Sequence, residues 1–508
     1  MSRLYRLSTI CFCVSLFLMG SAKASPKISE SFWKRVSAEG KAASILVVLK
    51  EQADLSDASQ LESKEEKGRY VYDELRELAL KTQSGLIDLL DAESLDYTRL
   101  YILNAIAVYN PKADQIAAIA ARDDVARIIP DPNIKMPALP PETDMLNPIL
   151  ALLSDSNAGD NIAFTEAEKV WNETGVRGEG IVVAGQDTGV EWDHPALIQQ
   201  YRGSNTTLVN HNYHWFDAIR FQVSASKSRC PYNSTVPCDD GDHGTHTMGT
   251  IVGSDGDENL IGMAPEAKWI ACRNMDDGVG RPQFYIECFQ FFLAPHPVNG
   301  NPLTEGDPDL APHVINNSWG CPENGANNEG CAGDEMRPVL AAMKAAGIMV
   351  VVSAGNDGSA CSTINDQPAS ISDLSFSVGA YAHRTSEIAK FSSRGPSLLD
   401  GGIGPDVVAP GVSIRSAVPG HKYEQAWWSG TSMAGPHVAG LVALMWSANP
   451  ALIGKVDETG DLIRHSSKGM YDSNLCGTDD WKAIPNNTYG YGIINAWNSV
   501  NAALNWTK

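Results

Sequence analysis

The segment WWSGTSMAGPHVAG, Trp427 to Gly440, sets one serine hydroxyl, Ser432, among small residues. A hydroxyl becomes an acyl-transfer nucleophile when a base takes its proton, a carboxylate orients that base, and donors receive the oxyanion. From Ser432 to Ser447 only Ser432, His437 and Ser447 are polar, so the run reads as a helix buried nearly all round. Pro436 falls in its first turn or just beyond, where a missing N–H costs little. Ser432 thus sits at a helix start, where free N–H groups and the positive dipole end favour a developing anion. Five residues along a helix is about 140° of rotation and about 7.5 Å of rise, which turns His437 away from Ser432 and makes it a core histidine. The base must come from another segment. DDGDHGTHTMG (Asp239 to Gly249) offers His243 and His246, three apart on a similar helix face, and spacing does not choose between them. A zinc site would want H-E-x-x-H, but Gly244 stands where that glutamate would be.

Such residues need a frame. From about residue 160 onward the chain alternates short β-rich runs with helical patterns, as an α/β domain with a largely parallel sheet does. The runs are IVVAG (181–185), AKWIAC (267–272), HVINNS (313–318), GIMVVVSAG (347–355), SFSVGA (375–380) and PDVVAPG (405–411). Asp187, Ser318 and Asn356 follow or close three of them, and function in open parallel sheets gathers at strand carboxyl ends.

Ahead of this domain lies a smaller α+β unit: a strand ILVVLK (45–50), a helical pattern near 67–90, RLYILNAIAVYN (99–110), a helix ADQIAAIAARDD (113–124) and a strand VARIIPD (125–131). The proline-rich PALPPETDMLNP opens a connector, residues 136–159. At the amino end, Arg3 and Arg6 precede an apolar run, Leu7 to Gly20, and then Ser21-Ala22-Lys23-Ala24; residues 1–24 read as a secretory signal peptide cut after Ala24. The run is short of the ~20 residues that span a bilayer, so the processed protein is expected to leave the membrane and be secreted. Eight cysteines remain beyond it, an even number that suits disulfides in an exported chain; close spacing favours Cys230 with Cys238 and Cys321 with Cys331. The net charge of −22 excludes nucleic acid as a natural partner, because phosphates would be repelled.

VVAGQDTGVEWDHPAL, DHGTHTMGTIVG, SAGNDG and SGTSMAGPHVAG together resemble the triad and oxyanion blocks of the subtilisin-like serine proteases, in the order Asp, His, Ser. VWNETGVRGEG, IGMAPEAKWIA, INNSWG and FSSRGPS look like the bacillopeptidase F branch, and the resemblance runs from Val170 to Ala503. It implies a subtilisin-like three-layer α/β fold with a mostly parallel sheet over residues 160–508. The unit at 25–135 is then a small ferredoxin-like inhibitory propeptide domain, with processing in the 136–159 linker. The resemblance further implies a serine endopeptidase working through an acyl-enzyme on protein or peptide substrates, restrained by its own propeptide, and a monomer.

Carried over residue by residue, Asp187 is the orienting carboxylate, His243 the general base, Ser432 the nucleophile and Asn356 the side-chain oxyanion donor. The resemblance likewise makes Ser318-Trp319-Gly320 one edge for extended substrate and Gly278 and Gly280 of DGVGR the opposing one. Asp193, Asp239, Asp240 and Asp242 compete for the carboxylate role; Asp242 adjoins His243 and suits solvation or helix capping better. No cofactor is required. Calcium is a family ligand, but Ala196 replaces the aspartate many members carry, and the acidic run SDGDEN (254–259) lacks a ligand spacing. Glu191 and Trp192 also fill positions that usually differ. An α/β-hydrolase esterase would need the order Ser, Asp/Glu, His and a second glycine after the serine, and a non-enzymatic relative would show a broken triad; neither fits.

Overall fold

The computed structural model describes residues 25–137, 159–205, 208–322, 331, 335–473, 475–477 and 480–507. The expected leader and residues 138–158 of the connector lie outside them. The amino-terminal unit runs α1 (Glu30–Glu39), β1 (Ser44–Leu49), α2 (Lys64–Thr82), α3 (Ser84–Ala92), β2 (Tyr97–Leu100), β3 (Ala105–Tyr109), α4 (Ala113–Ala120), β4 (Val125–Pro130) and β5 (Ile134–Lys135). The sheet order β2-β3-β1-β4, all antiparallel, is ferredoxin-like. One expectation shifts here. The long helix near 67–90 starts at Lys64, behind a capping box of Ser63 and Glu66. It then breaks at Gln83, whose buried amide donates to Asn104 and Ala105 and accepts from Arg99. The run at 99–110 belongs to a hairpin of β2 and β3, turned at Asn104 with φ 43°.

All six residues of β1 are buried because its sheet is covered on both faces. Ile45, Val47 and Leu49 share a core with α1, α3 and α4. Leu46 and Val48 share another with Val71, Tyr72 and Leu75 of α2, and that core continues into the larger domain through Phe284, Phe289 and Leu293. The small unit is thus docked by its second hydrophobic face, which by itself would stand in water. Tyr101, fully buried, fixes the docking by donating its hydroxyl to Gln290 O (3.0 Å) and its N–H to Gln290 Oε1 (2.7 Å).

The larger domain continues with α5 (Asp160–Phe164), α6 (Ala167–Thr174), β6 (Val182–Asp187), β7 (Trp215–Asp217), α7 (His243–Val252), β8 (Lys268–Arg273), β9 (Met275–Asp276), β10 (Val279–Gly280), α8 (Pro282–Leu293), β11 (Val314–Asn317), β12 (Cys321–Pro322), α9 (Met336–Ala345), β13 (Met349–Ser353), β14 (Asp366–Gln367), β15 (Phe376–Ala382), β16 (Glu387–Ile388), β17 (Val407–Pro410), β18 (Ser416–Val418), β19 (Lys422–Glu424) and α10 (Thr431–Ala448), followed by α11 (Val456–Ser466) and α12 (Ala496–Leu504). Eight strands form the central sheet in the order β16-β15-β13-β11-β6-β8-β7, with β17 paired to β15; only the β15–β16 pair is antiparallel. The parallel register sets Asn317 beside Gln186 and Val352, so β6, β11 and β13 end along one edge. Disulfides join Cys230 to Cys238 and Cys321 to Cys331, and also Cys272 to Cys288 and Cys361 to Cys476. No helix among the described residues is long and apolar enough to cross a membrane.

Lys64, the first residue of α2, is buried against the larger domain and donates to Ala311 O (3.0 Å). Burial pushes its ammonium down to about 8, and nearby Arg202 adds to the effect. Between that value and the ordinary lysine pKa of about 10.4 the unfolded chain binds more protons than the folded one, so stability rises with pH there. Lys64→Met is expected to remove this rise. Guanidinium unfolding midpoints of both proteins at about pH 7 and about pH 10 measure it; a wild-type-minus-variant difference that is the same at both would contradict it.

Candidate active site

Asp187 is the last residue of β6 and His243 the first of α7. His243 Nδ1 lies 2.8 and 2.9 Å from the two Asp187 carboxylate oxygens, and both side chains are buried (2% and 4% exposed). Two glycines allow the close approach: a methyl on Gly244 would fall 2.0 Å from Gly189 O, and Gly189 itself has φ +107° and would meet Cys238 O. Burial opposes a proton on His243, but the charge and hydrogen bond of Asp187 outweigh it and raise the imidazole above its ordinary value. Its other nitrogen, Nε2, is buried and has no hydrogen-bond partner.

The remaining histidines are elsewhere. His246 donates Nε2–H to Ile414 O (3.0 Å) and stacks on Trp428 at 4.2 Å between centroids. His437 meets Met433 O through Nδ1 (2.9 Å) and Asn161 Nδ2 through Nε2 (3.0 Å). Burial pushes both down to about 3, so they stay neutral.

The competing carboxylates have separate tasks. Asp239 is buried and accepts from Thr188 Oγ1 (2.8 Å), Gly241 N, Asp242 N, Thr245 N and Thr245 Oγ1 (2.5 Å). Thr188 Oγ1 in turn accepts from Gly244 N (3.0 Å). This carboxylate ties the turn after β6 to the start of α7. Asp240 accepts from Ser228 Oγ and faces Arg273, Asp242 pairs with Arg229 rather than capping the helix, and Asp193 is exposed.

Ser432 is the second residue of α10, with Pro436 inside the helix. Pro436 has no N–H for the carbonyl of Ser432, four residues back; Ser318 Oγ donates to it instead, at 2.9 Å. The Ser432 hydroxyl donates to Ser318 O (3.2 Å). Asn356 Oδ1 accepts from Thr431 N (2.9 Å) and Thr431 Oγ1 (3.0 Å), which turns its amide nitrogen away from Thr431. Ser432, His243, Asn356, Ser318, Trp319 and Gly320 all line one pocket. Across from it, β10 carries Gly280 and follows Gly278, and β5 of the amino-terminal unit pairs with it antiparallel: Lys135 opposite Val279, Ile134 opposite Gly280, and Met136 N on Gly278 O (2.8 Å). Met136 and Pro137 reach the pocket. The two-residue strand β5 left no mark in the sequence pattern.

The oxygen set for calcium at the expected position is not furnished: Ala196 has no side-chain oxygen and is buried, and its carbonyl accepts from Ser254 N. In the acidic run, Asp255 accepts from Asp257 N, Asn259 N and Asn259 Nδ2, which makes it the organiser of its own loop.

The Peptidase_S8 family model, described as the subtilase family, matches residues 178–492. The chain is 37% identical over 412 residues to "Bacillopeptidase F" of Bacillus subtilis (strain 168), a match that covers 79% of this chain and 26% of that protein. It is 30% identical over 364 residues to "Serine protease AprX" of the same organism (66% of this chain, 69% of the relative) and 31% identical over 278 residues to "Subtilisin E" (54% and 58%). The chain thus spans about a quarter of the length of the first of these relatives.

Since only neutral His243 can take a proton, covalent reaction of Ser432 with a fluorophosphonate is expected to speed up as pH rises, with a midpoint above about 6.5. Asp239→Asn, which leaves donors of α7 unpaired, is expected to slow it by about tenfold or more. The same change should lower the midpoint, because the Asp239 charge adds to that of Asp187 in raising His243. A wild-type labelling rate that is flat from about pH 5 to about pH 9 would contradict the first statement, and an Asp239→Asn rate equal to that of wild type would contradict the second.

Proposed function

The chain belongs to the subtilase family, and we propose on that premise that it is a secreted serine endopeptidase made as a proenzyme. The observation that carries this reading is the His243–Asp187 hydrogen bond, with His243 Nε2 unpartnered and both His243 and Ser432 lining one pocket. Ser432 Oγ attacks the scissile carbonyl and its proton passes to His243 Nε2. Asp187 holds the ring by Nδ1 and stabilises the imidazolium. The oxyanion takes hydrogen bonds from Asn356 Nδ2 and the Ser432 N–H at the positive end of α10. The leaving amine receives the proton from His243, and water, activated by the same ring, releases the acyl group from Ser432. None of these steps needs a metal or cofactor.

Residues 25–135 act as the propeptide and 136–159 as the linker that is cut. The support is the strand β5, which occupies one edge of the cleft, and the tail that carries Met136 and Pro137 up to the nucleophile. Protein substrates are bound in the same manner, as an added strand whose main-chain hydrogen bonds give affinity without reading much sequence.

Ser432→Ala is expected to abolish both casein hydrolysis and release of the amino-terminal unit; release that continues at the wild-type rate in a protease-deficient host would overturn autoprocessing. Asn356→Ala is expected to lower kcat by about 10²- to 10³-fold with KM little changed, the cost of one oxyanion donor and the one found for the corresponding residue of subtilisin. A loss confined to KM would assign Asn356 to ground-state binding instead.

A further inference from the structure

We propose that the Cys361–Cys476 disulfide is a positioning element for the oxyanion donor: it staples the loop that begins at Asn356 to a later segment of the chain and so helps set the rate of acyl transfer. This rests on the endopeptidase reading above. A methyl built on Gly430 would lie 3.6 Å from both Asn356 Nδ2 and Ser432 N, so the two donors flank one spot. Thr431, through its N–H and its hydroxyl, fixes which way the Asn356 amide faces. How far that amide reaches is set by the Asn356 backbone, in the loop that leaves β13.

Burial holds only the two ends of that loop. Ala354 before it and Ile364 after it are buried, whereas residues 357–362 are exposed or half-buried. Its middle is held by hydrogen bonds that lay it along residues 391–395: Asp357 N donates to Ser393 Oγ (3.1 Å), Gly358 N to Phe391 O (2.8 Å) and Ser362 N to Gly395 O (3.0 Å). Backbone hydrogen bonds in a water-exposed loop with few buried contacts open at low cost. A misplacement of about 1 Å in a group that must meet a developing charge costs up to about 10²-fold in rate.

The disulfide ties this loop to something firmer. Cys476 is 1% exposed, and its carbonyl accepts from Asn487 Nδ2 (2.7 Å). Asn487, also buried, accepts from Gly395 N through its own carbonyl (2.8 Å) and from Gly404 N through Oδ1 (3.3 Å). Farther along the same segment, Val408 of β17 donates to Gly492 O (2.9 Å) and accepts from Ile494 N (3.1 Å), which lays the segment against the central sheet. A covalent bond from Cys361 to Cys476, 115 residues on, thus fixes the loop that follows Asn356 to a buried and sheet-anchored piece of chain. Of the eight described half-cystines Cys361 alone is exposed, so this bond is the one a thiol reaches first.

The test is a double-mutant cycle read as kcat on one peptide amide: the pair Cys361→Ser and Cys476→Ser, made with Asn356 intact and with Asn356→Ala. With Asn356 intact the serine pair is expected to lower kcat by about tenfold or more. With Asn356→Ala it should change kcat by less than about twofold, because the donor it positions is already gone. A bond that serves the fold alone leaves kcat unchanged in both backgrounds or lowers it equally in both, and either result overturns the proposal. Should the serine pair fail to fold, dilute dithiothreitol on the folded enzyme replaces it; the reagent closes to its cyclic disulfide as it reduces the bond to two thiols, and alkylation with peptide mapping identifies them. kcat should then fall in step with alkylation of Cys361 and Cys476 and hold steady in Asn356→Ala, and a fall that tracks a different pair, or that is equal in Asn356→Ala, overturns the proposal. Labelling of Ser432 by a fluorophosphonate in untreated wild type separates the two ideas: label and hydrolysis without the coupling overturn the tether alone, and absence of both overturns the endopeptidase reading and the tether with it.

Discussion

One buried carboxylate, Asp239, holds the candidate site together. Asp239 draws five donors from two pieces of chain, Thr188 after β6 and the residues from Gly241 to Thr245 at the start of α7. Such a group is costly to bury unless every lone pair is used, and using them fixes where α7 begins relative to β6. The Asp187–His243 contact is a consequence of that fixed distance. Burial pushes the Asp239 carboxyl up to about 6, so the clamp is at full strength only above that pH. Acid would therefore weaken the positioning of His243 while also protonating it.

Ser432 is referenced to the same sheet by a different route. A proline in the second turn of α10 leaves one carbonyl without its helical partner, and the carbonyl in question belongs to Ser432. Ser318, the first residue past β11, supplies the missing donor, and Asn316 Nδ2 donates to that same Ser318 hydroxyl (2.9 Å). The helix break is thus converted into a tether between Ser432 and the strand. β11 pairs residue for residue with β6 and β13, so Ser432, Asp187 and the Asn356 loop are all positioned by one ladder of parallel hydrogen bonds.

How much of this was legible in the sequence follows from what each feature depends on. The parallel strands were legible because strands buried on both faces are written as short continuous apolar runs. β7, three residues long and containing Asp217, had no such run. The helix near 67–90 was legible, but its break at Gln83 was not, since the partners of that amide come from β2 and the hairpin turn. The two short-loop disulfides could be read from spacing, whereas Cys272–Cys288 bridges a strand to a helix and Cys361–Cys476 spans 115 residues. Asp366 is the sharpest case. In NDQPAS it looks like a loop residue; only the pairing of β14 with β12, Pro322 opposite Asp366, carries it to the wall of the pocket that Ser318, Gly320 and Ser432 also line.

The choice between His243 and His246 shows why spacing could not decide. Both are fully buried on one turn of one helix, and burial acts on both in the same direction, against the charged ring. His246 meets a carbonyl and an indole face, neither of which offers a full negative charge, and it is pushed down to about 3. His243 meets Asp187 and is raised instead. Near neutral pH, His246 and His437 are therefore fixed neutral rings whose hydrogen bonds serve packing, and His243 alone of the three can take a proton and return it. What distinguishes His243 from a structural histidine here is a carboxylate 56 residues earlier in the chain, delivered by the sheet rather than by the helix that carries both rings.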